Sequence, residues 1–210
     1  MARRVVVFVD YENMHRCAMS AFRTANGHFS PWSLGERIVE IRNAHPSNEK
    51  SALHQVRVYR GLPDSRLQPK ANAANQAQTA AWLRDCPHAS GIEVKRRALR
   101  YPPMWPSGGG SPQEKGVDVA LAVDLVQMTY QGGFDVAVVC SHDTDLAPAL
   151  DVVATASAAR AHIEVASWSS LKRISLSADP RRPWCHRLSR SDFDAVKDLT
   201  VYPSSHGKSR

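Results

Sequence analysis

The apolar residues fall into short runs separated by amphipathic segments, which is the pattern of alternating strands and helices. Residues 5–9 (VVVFV) and 136–140 (VAVVC) are uninterrupted apolar runs, typical of strands buried on both faces of a parallel sheet. Residues 56–59 and 163–166 predict two further strands, and residues 92–94 predict a short one. We therefore predict an α/β fold of three layers, α/β/α, in which a parallel sheet carries helices on both faces.

Between these runs the apolar residues recur at the three- and four-residue spacing of helices. Residues 101–112 are rich in proline and glycine and predict a long surface loop. We expect one domain over residues 1–202 and a flexible polar tail over residues 203–210. The predicted helices begin near Met14 and at Ser30–Pro31, span residues 71–83, 117–128 and 145–154, and include a short one near Ser169.

Composition excludes several classes of protein. The chain has 210 residues, of which 43% are hydrophobic, so wholesale disorder is not expected. No apolar run approaches the roughly 20 residues needed to cross a bilayer. Cys17, Cys86, Cys140 and Cys185 are widely separated and lack the spacing of zinc ligands. We therefore expect a reduced, cytoplasmic protein with no membrane partner, whose thiols act as small buried hydrophobic groups.

The charge of the chain points to a polyanionic partner. The formal net charge is +7 and the isoelectric point is about 9.5, which favours nucleic acid as a partner. The first hundred residues hold 16 Lys and Arg against 8 Asp and Glu, whereas the remaining residues hold 11 and 12. Several of the later acids adjoin strongly apolar segments, where an ionised carboxylate is costly unless something neutralises it.

Carboxylates follow two of the predicted buried strands. Asp10 comes directly after the first strand, and Asp143 and Asp145 follow residues 136–140. Ligand sites of open α/β sheets lie beyond the carboxyl ends of the strands, where the strand order reverses. Clustered carboxylates repel one another unless a cation binds, and hard oxygen ligands suit Mg²⁺ or Mn²⁺. This pattern suits metal-assisted hydrolysis of a phosphodiester.

Three further segments of the chain stand out: residues 8–13 (FVDYEN), 114–124 (EKGVDVALAVD) and 141–146 (SHDTDL). They resemble the signature motifs of NYN domains, which belong to the PIN-like ribonuclease superfamily. This resemblance implies a PIN-like α/β/α fold and divalent-metal-dependent cleavage of RNA. By motif position it implies that Asp10, Asp118 and Asp143 bind the metal, with Asp145 as a fourth acid.

The resemblance also implies supporting residues around these acids. Asn13 would orient the first acid or a water, and Ser141 would support the site or a phosphate. Asp124 matches the family pattern as well, but it lies six positions after Asp118, about 240° further round a helix. The two side chains cannot point in the same direction, so Asp124 ranks below the other acids as a candidate site residue.

Each of these acids also has a purely structural interpretation. Asp10 and Asp143 are residues that favour helix N-caps, and Asp118 and Asp145 suit the negative charge preferred in a first helical turn. We expect Glu12 to be a solvated neighbour rather than a ligand. His142 has the titration range of a general base. Its position beside Asp143, however, predicts that its side chain points away from the acids.

A basic stretch with interleaved aromatic residues is a candidate RNA-binding surface. Such a stretch could track single-stranded RNA and stack on its bases. The alternative is a solvated strand edge followed by a loop with two anchoring rings. The stretch comprises Arg96, Arg97, Arg100, Tyr101 and Trp105, with Lys115 as a further phosphate contact; Arg181, Arg182, Trp184 and Arg187 suggest the same role with less support.

These observations lead to a metal-dependent endoribonuclease as the predicted function, with Mg²⁺ or Mn²⁺ as cofactor and single-stranded RNA as partner. One alternative is a catalytically inactive RNA-binding module that keeps the fold. A second is a phosphatase of another doubly wound family, which is disfavoured because Asp10, Tyr11 and Glu12 lack an Asp-x-Asp motif. Assembly into a homo-oligomer is left open.

Overall fold

The computed structural model describes residues 1–156, 162–171, 174 and 183–202. The expected tail at 203–210 and the basic residues Arg181 and Arg182 therefore lie outside the described residues. The elements in chain order are β1 (Arg3–Asp10), α1 (Tyr11–Phe22), α2 (Pro31–Ala44), β2 (Ser51–Leu62), α3 (Pro69–Asp85), β3 (Ile92–Ala98), α4 (Val117–Tyr130), β4 (Val136–Cys140), α5 (Ala147–Thr155), β5 (His162–Trp168), β6 (Trp184–Leu188) and α6 (Arg190–Val196). A single-turn 3-10 helix, Thr144–Leu146, precedes α5.

The strands form one sheet in the order β3-β2-β1-β4-β5-β6, and every neighbouring pair is parallel. From β1 the chain first builds outward through β2 and β3, and then crosses back to place β4 on the other side of β1. The strand order therefore reverses between β1 and β4. The predicted parallel α/β sheet is confirmed.

Alternate residues of the central strands enter two separate hydrophobic cores. In β1, Val5, Val7 and Val9 pack with α1, α2, α3 and α6, whereas Val6 and Phe8 pack with α4 and α5. Successive side chains of a strand point to opposite faces of the sheet, so a strand covered on both faces must be apolar throughout. The two cores give the predicted three layers.

The sequence pattern locates most elements, but it underestimates the length of two strands and misses one strand and one helix. β2 and β3 extend well beyond the predicted residues 56–59 and 92–94. The predicted helix near Ser169 is wrong for Ser169–Leu171, which form a turn and a bend. Neither β6 nor α6 was predicted. β6 escapes the pattern because a buried polar residue, His186, occupies one of its inward positions.

The cysteines agree only partly with the expected burial. All four are free thiols, and Cys140 is buried, but Cys17, Cys86 and Cys185 are half-buried. Among the described helices, none combines the length and the apolar character that crossing a bilayer requires.

A buried ionic cluster lies near the amino ends of β2 and β5, at the far end of the sheet from Asp10. Glu164 is 1% exposed and accepts hydrogen bonds from Arg42 Nε at 3.0 Å and from His186 Nε2 at 2.7 Å. Arg42 also donates to Ser51 Oγ at 2.6 Å, which links α2 to the start of β2. The cluster therefore joins α2, β2, β5 and β6 through one carboxylate.

Replacing Glu164 by Gln should lower the free energy of unfolding by about 3–5 kcal/mol, because breaking a buried ion pair leaves the Arg42 charge uncompensated. The matched control is Glu40→Gln, whose ion pair with Arg37 is exposed and should contribute less than about 1 kcal/mol. Urea unfolding followed by circular dichroism measures both differences. Small and equal losses in the two variants would contradict a stabilising role for the cluster.

The stability difference between wild type and Glu164→Gln should also depend on pH. Burial by itself would raise the pKa of Glu164, but the hydrogen bond to His186 and the charges of His186 and Arg42 hold it below its ordinary value of 4.5. A carboxyl with a lowered pKa stabilises the fold above its unfolded pKa, and this contribution is lost as the pH falls through the folded pKa. The difference should be full near neutral pH and shrink below pH 4.5. Urea titrations at several pH values test this, and a pH-independent difference would refute it.

Candidate metal and nucleic-acid site

Asp10, the last residue of β1, is nearly buried, with 6% of its surface exposed. Its Oδ2 accepts a hydrogen bond from Ser141 Oγ at 3.1 Å, and its Oδ1 accepts one from the Asn13 amide at 3.4 Å, so it also caps α1. Burial raises the pKa of Asp10 to about 7 against the opposing bond from Ser141, and the carboxylates of Glu114 and Asp143 raise it further. Its anionic form is therefore disfavoured unless positive charge is supplied.

Hydrogen bonds join the ends of β1 and β4, which are neighbours in the sheet. Ser141 follows β4 directly and is 1% exposed; its Oγ donates to Asp10 and accepts a bond from the Asp143 amide at 3.0 Å. Asn13 provides a second link, because its Oδ1 accepts a bond from the His142 amide at 2.8 Å. The first and third sequence motifs thus meet at the carboxyl edge of the sheet, where the strand order reverses.

The two acids of the third motif lie just beyond β4. Asp143 is half-buried and caps the 3-10 helix, since its Oδ1 accepts a hydrogen bond from the Asp145 amide at 3.0 Å. Asp145 is exposed in the first turn of that helix. For Asp10 and Asp143, the structural interpretation as capping residues therefore coexists with a position in the acidic cluster.

The second motif reaches this edge through the start of α4. Gly116 has a φ of 70°, a left-handed conformation that favours glycine, and it turns the chain into the helix. Asp118 is half-buried in the first turn of α4, which packs against β1 and the 3-10 helix. Within the described ranges, its side chain has no hydrogen-bond or ion-pair partner.

Glu114 is a candidate residue that the sequence analysis did not single out. Its Oε1 accepts a hydrogen bond from the Gly61 amide at the end of β2. A Cβ at Gly61 would lie 2.7 Å from that oxygen, so a larger residue at this position would displace the Glu114 side chain. Burial and the carboxylate of Glu12 raise the pKa of Glu114, and Glu114 in turn raises that of Asp10. Its position at the start of the second motif could have identified it, but Glu114 does not directly follow a predicted strand as Asp10 does.

Glu12 is not the solvated neighbour that was expected. It is half-buried, pairs with Arg60 at 3.1 Å, and lies 3.6 Å from His15 Nδ1. Burial alone would raise its pKa, but the nearby His15 ring and the charge of Arg60 lower it to about 2. The prediction failed because Arg60, distant in the sequence, enters from the end of β2 and compensates the buried carboxylate.

Asp124, predicted as a supporting residue, is engaged by side chains of β2 and β3. Its Oδ2 accepts hydrogen bonds from Tyr59 Oη at 2.7 Å and from Arg57 at 3.1 Å, and pairs with Lys95 Nζ at 2.5 Å. The angular offset from Asp118 turns the side chain toward β2 and β3. Asp124 therefore makes an ionic contact between α4 and the sheet, and its supporting role in the site stays a prediction.

The acids predicted to bind the metal differ from Glu12 and Asp124 in having no cationic partner among the described residues. In the part of the chain that the structure describes, Asp10, Asp118, Asp143 and Asp145 form no ion pair with Lys, Arg or His. The carboxylates of Glu114 and Asp143 act on Asp10, and the hard oxygens of carboxylates suit Mg²⁺ or Mn²⁺. The donor chemistry and charge thus fit such an ion. No three His, Cys, Asp or Glu side chains in the described ranges form a ready-made ligand group.

His142 takes part in packing between β4 and β5. Its Nε2 accepts a hydrogen bond from the Trp168 amide at 3.1 Å. This bond occupies the lone pair that a general base would use. The placement agrees with the expectation that the ring points away from the acids.

The predicted basic residues are distributed over two faces and a loop base. Arg97 Nε donates to the Lys115 carbonyl at 3.3 Å, and both residues are exposed beside the start of α4. Arg96, exposed as well, precedes Arg97 in β3 and so points to the opposite face. Arg100 makes two backbone hydrogen bonds with Gln113, which close the base of the predicted loop.

The rings of this loop act as anchors. Tyr101 Oη accepts a hydrogen bond from the Asp64 amide at 2.9 Å and donates to Gln68 at 2.8 Å. The half-buried ring of Trp105 packs edge-on against Tyr101, with centroids 5.2 Å apart. This geometry favours the anchoring alternative for both rings. Trp184, on β6, is 47% exposed.

Comparisons with known proteins place the chain in a family. The NYN domain family matches residues 4–179. A search of curated proteins found no similar sequence. Among solved structures, a protein of unknown function from Vibrio parahaemolyticus is similar, with 17% identity, a TM-score of 0.49, and coverage of 80% of this chain and 82% of that one. Because the family match spans most of the chain and includes all three motifs, the chain belongs to the NYN domain family.

Proposed function

We propose that this protein is a metal-dependent endoribonuclease that hydrolyses phosphodiester bonds of single-stranded RNA. Membership of the NYN family indicates a PIN-like nuclease domain. The observation that carries the proposal is the state of Asp10: a nearly buried carboxylate, linked through Ser141 to the Asp143 segment, with no cationic partner among the described residues. Such an acid at the carboxyl edge of a parallel sheet favours a bound divalent cation.

Asp10, Asp118 and Asp143 would hold Mg²⁺ or Mn²⁺, with Asp145 as a fourth acid. When bound, the ion supplies Lewis-acid activation and offsets the negative charge of the phosphodiester. Glu114 adds negative charge to the same edge, which strengthens the demand for a cation. The acids by themselves would repel the phosphate backbone.

The other residues of the cluster position these acids. Ser141 directs its hydroxyl proton at Asp10 Oδ2 and thereby fixes the rotamer of that carboxylate. Asn13 holds the His142 amide and so fixes the segment that carries Asp143. Because its proton is committed to Asp10, Ser141 serves as a positioning residue, and no side-chain nucleophile is needed.

Exposed basic groups beside the acids would bind the RNA backbone. Lys115 and Arg97 lie together beside the start of α4, and Lys115 is three residues before Asp118 in the sequence. Contacts to phosphates give affinity without sequence preference and a steep dependence on salt. The two side chains are therefore proposed to hold the strand near the acidic cluster.

A second candidate is an RNA-binding module without turnover. The observation that favours it is that no three His, Cys, Asp or Glu side chains in the described ranges are already grouped as ligands. Such a protein would bind RNA with a steep salt dependence. It would cleave none with either Mg²⁺ or Mn²⁺.

Asp10→Asn should abolish Mn²⁺-dependent cleavage, because the amide keeps the shape of the side chain and removes the charge that would hold the ion. The measurement is the cleavage rate of a fluorescent single-stranded RNA with and without Mn²⁺. The matched control is Asp85→Asn, an exposed acid at the end of α3 that pairs with Arg84 and should retain the wild-type rate. Equal rates for wild type and Asp10→Asn would refute the site, and binding without turnover in wild type would favour the second candidate.

Ser141→Ala should reduce cleavage roughly tenfold or more. Without the hydroxyl, the Asp143 amide and the Asp10 carboxylate each lose a hydrogen bond, and leaving a buried polar group unsatisfied costs about 1–3 kcal/mol. The substitution should also raise the Mn²⁺ concentration that gives half-maximal rate, since Asp10 loses its orientation. Ser167→Ala is the matched control: this serine is equally buried on β5, and its hydroxyl contacts only Cys185 Sγ among the described residues. The same Mn²⁺ dependence in wild type and Ser141→Ala would contradict a positioning role.

A further inference from the structure

A cleft of about 610 Å³ opens between α1 and α3, above the end of β2. Glu114, which lies within electrostatic reach of Asp10, lines this cleft together with Gly61 at the end of β2. The cleft therefore adjoins the acidic cluster. Its volume falls in the range of about 300–1,000 Å³ that is typical of ligand sites.

Arg16 is an exposed cation on the wall of the cleft that α1 forms. In the part of the chain that the structure describes, its side chain forms no ion pair and no hydrogen bond. All five N–H donors of the guanidinium therefore stay available. The residues of α1 that line the cleft are three and four apart and so share one face of the helix: Glu12, His15, Arg16 and Met19.

Arg16 stays unpaired although two carboxylates lie near it. Glu12 precedes it by one helical turn, but this carboxylate pairs with Arg60 at 3.1 Å. Burial and the carboxylate of Glu12 raise the pKa of Glu114, and the charge of Arg16 opposes this rise, so Arg16 lies within electrostatic reach of Glu114. Glu114, however, accepts its hydrogen bond from the Gly61 amide. Arg16 is thus a positive charge beside the acidic cluster that no described carboxylate engages.

Arg16 and Lys115 approach the carboxyl edge of the sheet from opposite faces. α1 and α3 pack in one hydrophobic core together with Val7 of β1, whereas α4 packs in the other core together with Phe8. Arg16 belongs to α1, and Lys115 lies beside the start of α4. Asp10, at the end of β1, lies at the edge between these two faces. A strand of RNA that contacts both cations must cross this edge and pass the acidic cluster.

A strand that crosses the acidic cluster needs positive charge on both sides of it. The carboxylates repel every phosphate that comes near them. A metal ion held at Asp10 offsets this repulsion at one phosphodiester, so the neighbouring phosphates depend on cations of the protein. An arginine suits such a phosphate because its planar guanidinium can donate two parallel hydrogen bonds.

We propose that Arg16 binds a phosphate of single-stranded RNA in this cleft, and that the strand crosses the carboxyl edge from Lys115 on the α4 face to Arg16 on the α1 face. The acids then face a phosphodiester within the strand, and nucleotides are bound on both sides of it. The proposal rests on the proposed ribonuclease function for the nature of its ligand.

RNA binding in the presence of EDTA tests Arg16 apart from turnover. Fluorescence anisotropy of a labelled single-stranded RNA at several salt concentrations gives the affinity and its salt dependence. Arg16→Ala should weaken binding and reduce the slope of log affinity against log salt by about 0.7, the value for one phosphate contact of a single strand. Arg16→Lys should keep most of that slope, because it keeps the charge.

The matched control for this measurement is Arg23→Ala. Arg23 is an exposed arginine at the C-cap of the same helix, outside the lining of the cleft. Its replacement should leave the slope unchanged. An unchanged slope in Arg16→Ala, or an equal reduction in both variants, would overturn the phosphate contact.

Two further measurements test the crossing of the strand. Combining Arg16→Ala with Lys115→Ala should reduce the salt slope by about 1.4, because two contacts to one strand are then lost. A circular single-stranded RNA has no end, so its strand must extend on both sides of the cut, and wild type with Mn²⁺ should linearise it. Cleavage of linear RNA but not of the circle would refute the crossing.

The outcomes separate this proposal from the nuclease itself. A reduced slope in Arg16→Ala, with no cleavage by wild type, would refute the nuclease and sustain the phosphate contact. Cleavage by wild type, with an unchanged slope in Arg16→Ala, would refute the phosphate contact alone.

Discussion

The parallel pairing of β1 with β4 is the constraint on which the rest of the structure depends. It aligns Val9 with Cys140, so the residues that follow, Asp10 and Ser141, emerge side by side at the carboxyl edge. Because β1 and β4 are far apart along the chain, their pairing reverses the strand order there. The hydrogen bond from Ser141 to Asp10 fixes this junction, and α4 brings the second motif to it.

The buried carboxylates at the two ends of the sheet differ in whether a cationic side chain pairs with them. At the amino ends, Glu164 is fully engaged by Arg42 and His186, which binds four elements together. At the carboxyl ends, Asp10 stays without a cationic partner among the described residues, and burial together with nearby carboxylates raises its pKa. Removing one partner from the first arrangement would leave a buried charge uncompensated, whereas in the second arrangement the buried charge already lacks compensation. This difference supports the cation site proposed at the carboxyl edge.

Local sequence signals explain what could be predicted and what could not. Uninterrupted apolar runs identified β1 and β4 because both faces of these strands are covered. β6 was missed because its inward position is His186, whose burial depends on Glu164 from another strand. The capping box of Ser189 and Asp192 could have indicated α6. Glu114 was overlooked because only the approach of Gly61 brings it to the edge.

The sequence by itself determined the fold class, the acids at the strand ends and the angular separation of Asp124 from Asp118, because these follow from periodicity within single elements. Only the tertiary structure decided which acids are neutralised. Arg57 and Lys95 pair with Asp124, and Arg60 pairs with Glu12, through contacts between residues distant along the chain. A carboxylate's charge state depends on its burial and on the cations around it, and both are fixed by packing rather than by neighbours in the sequence.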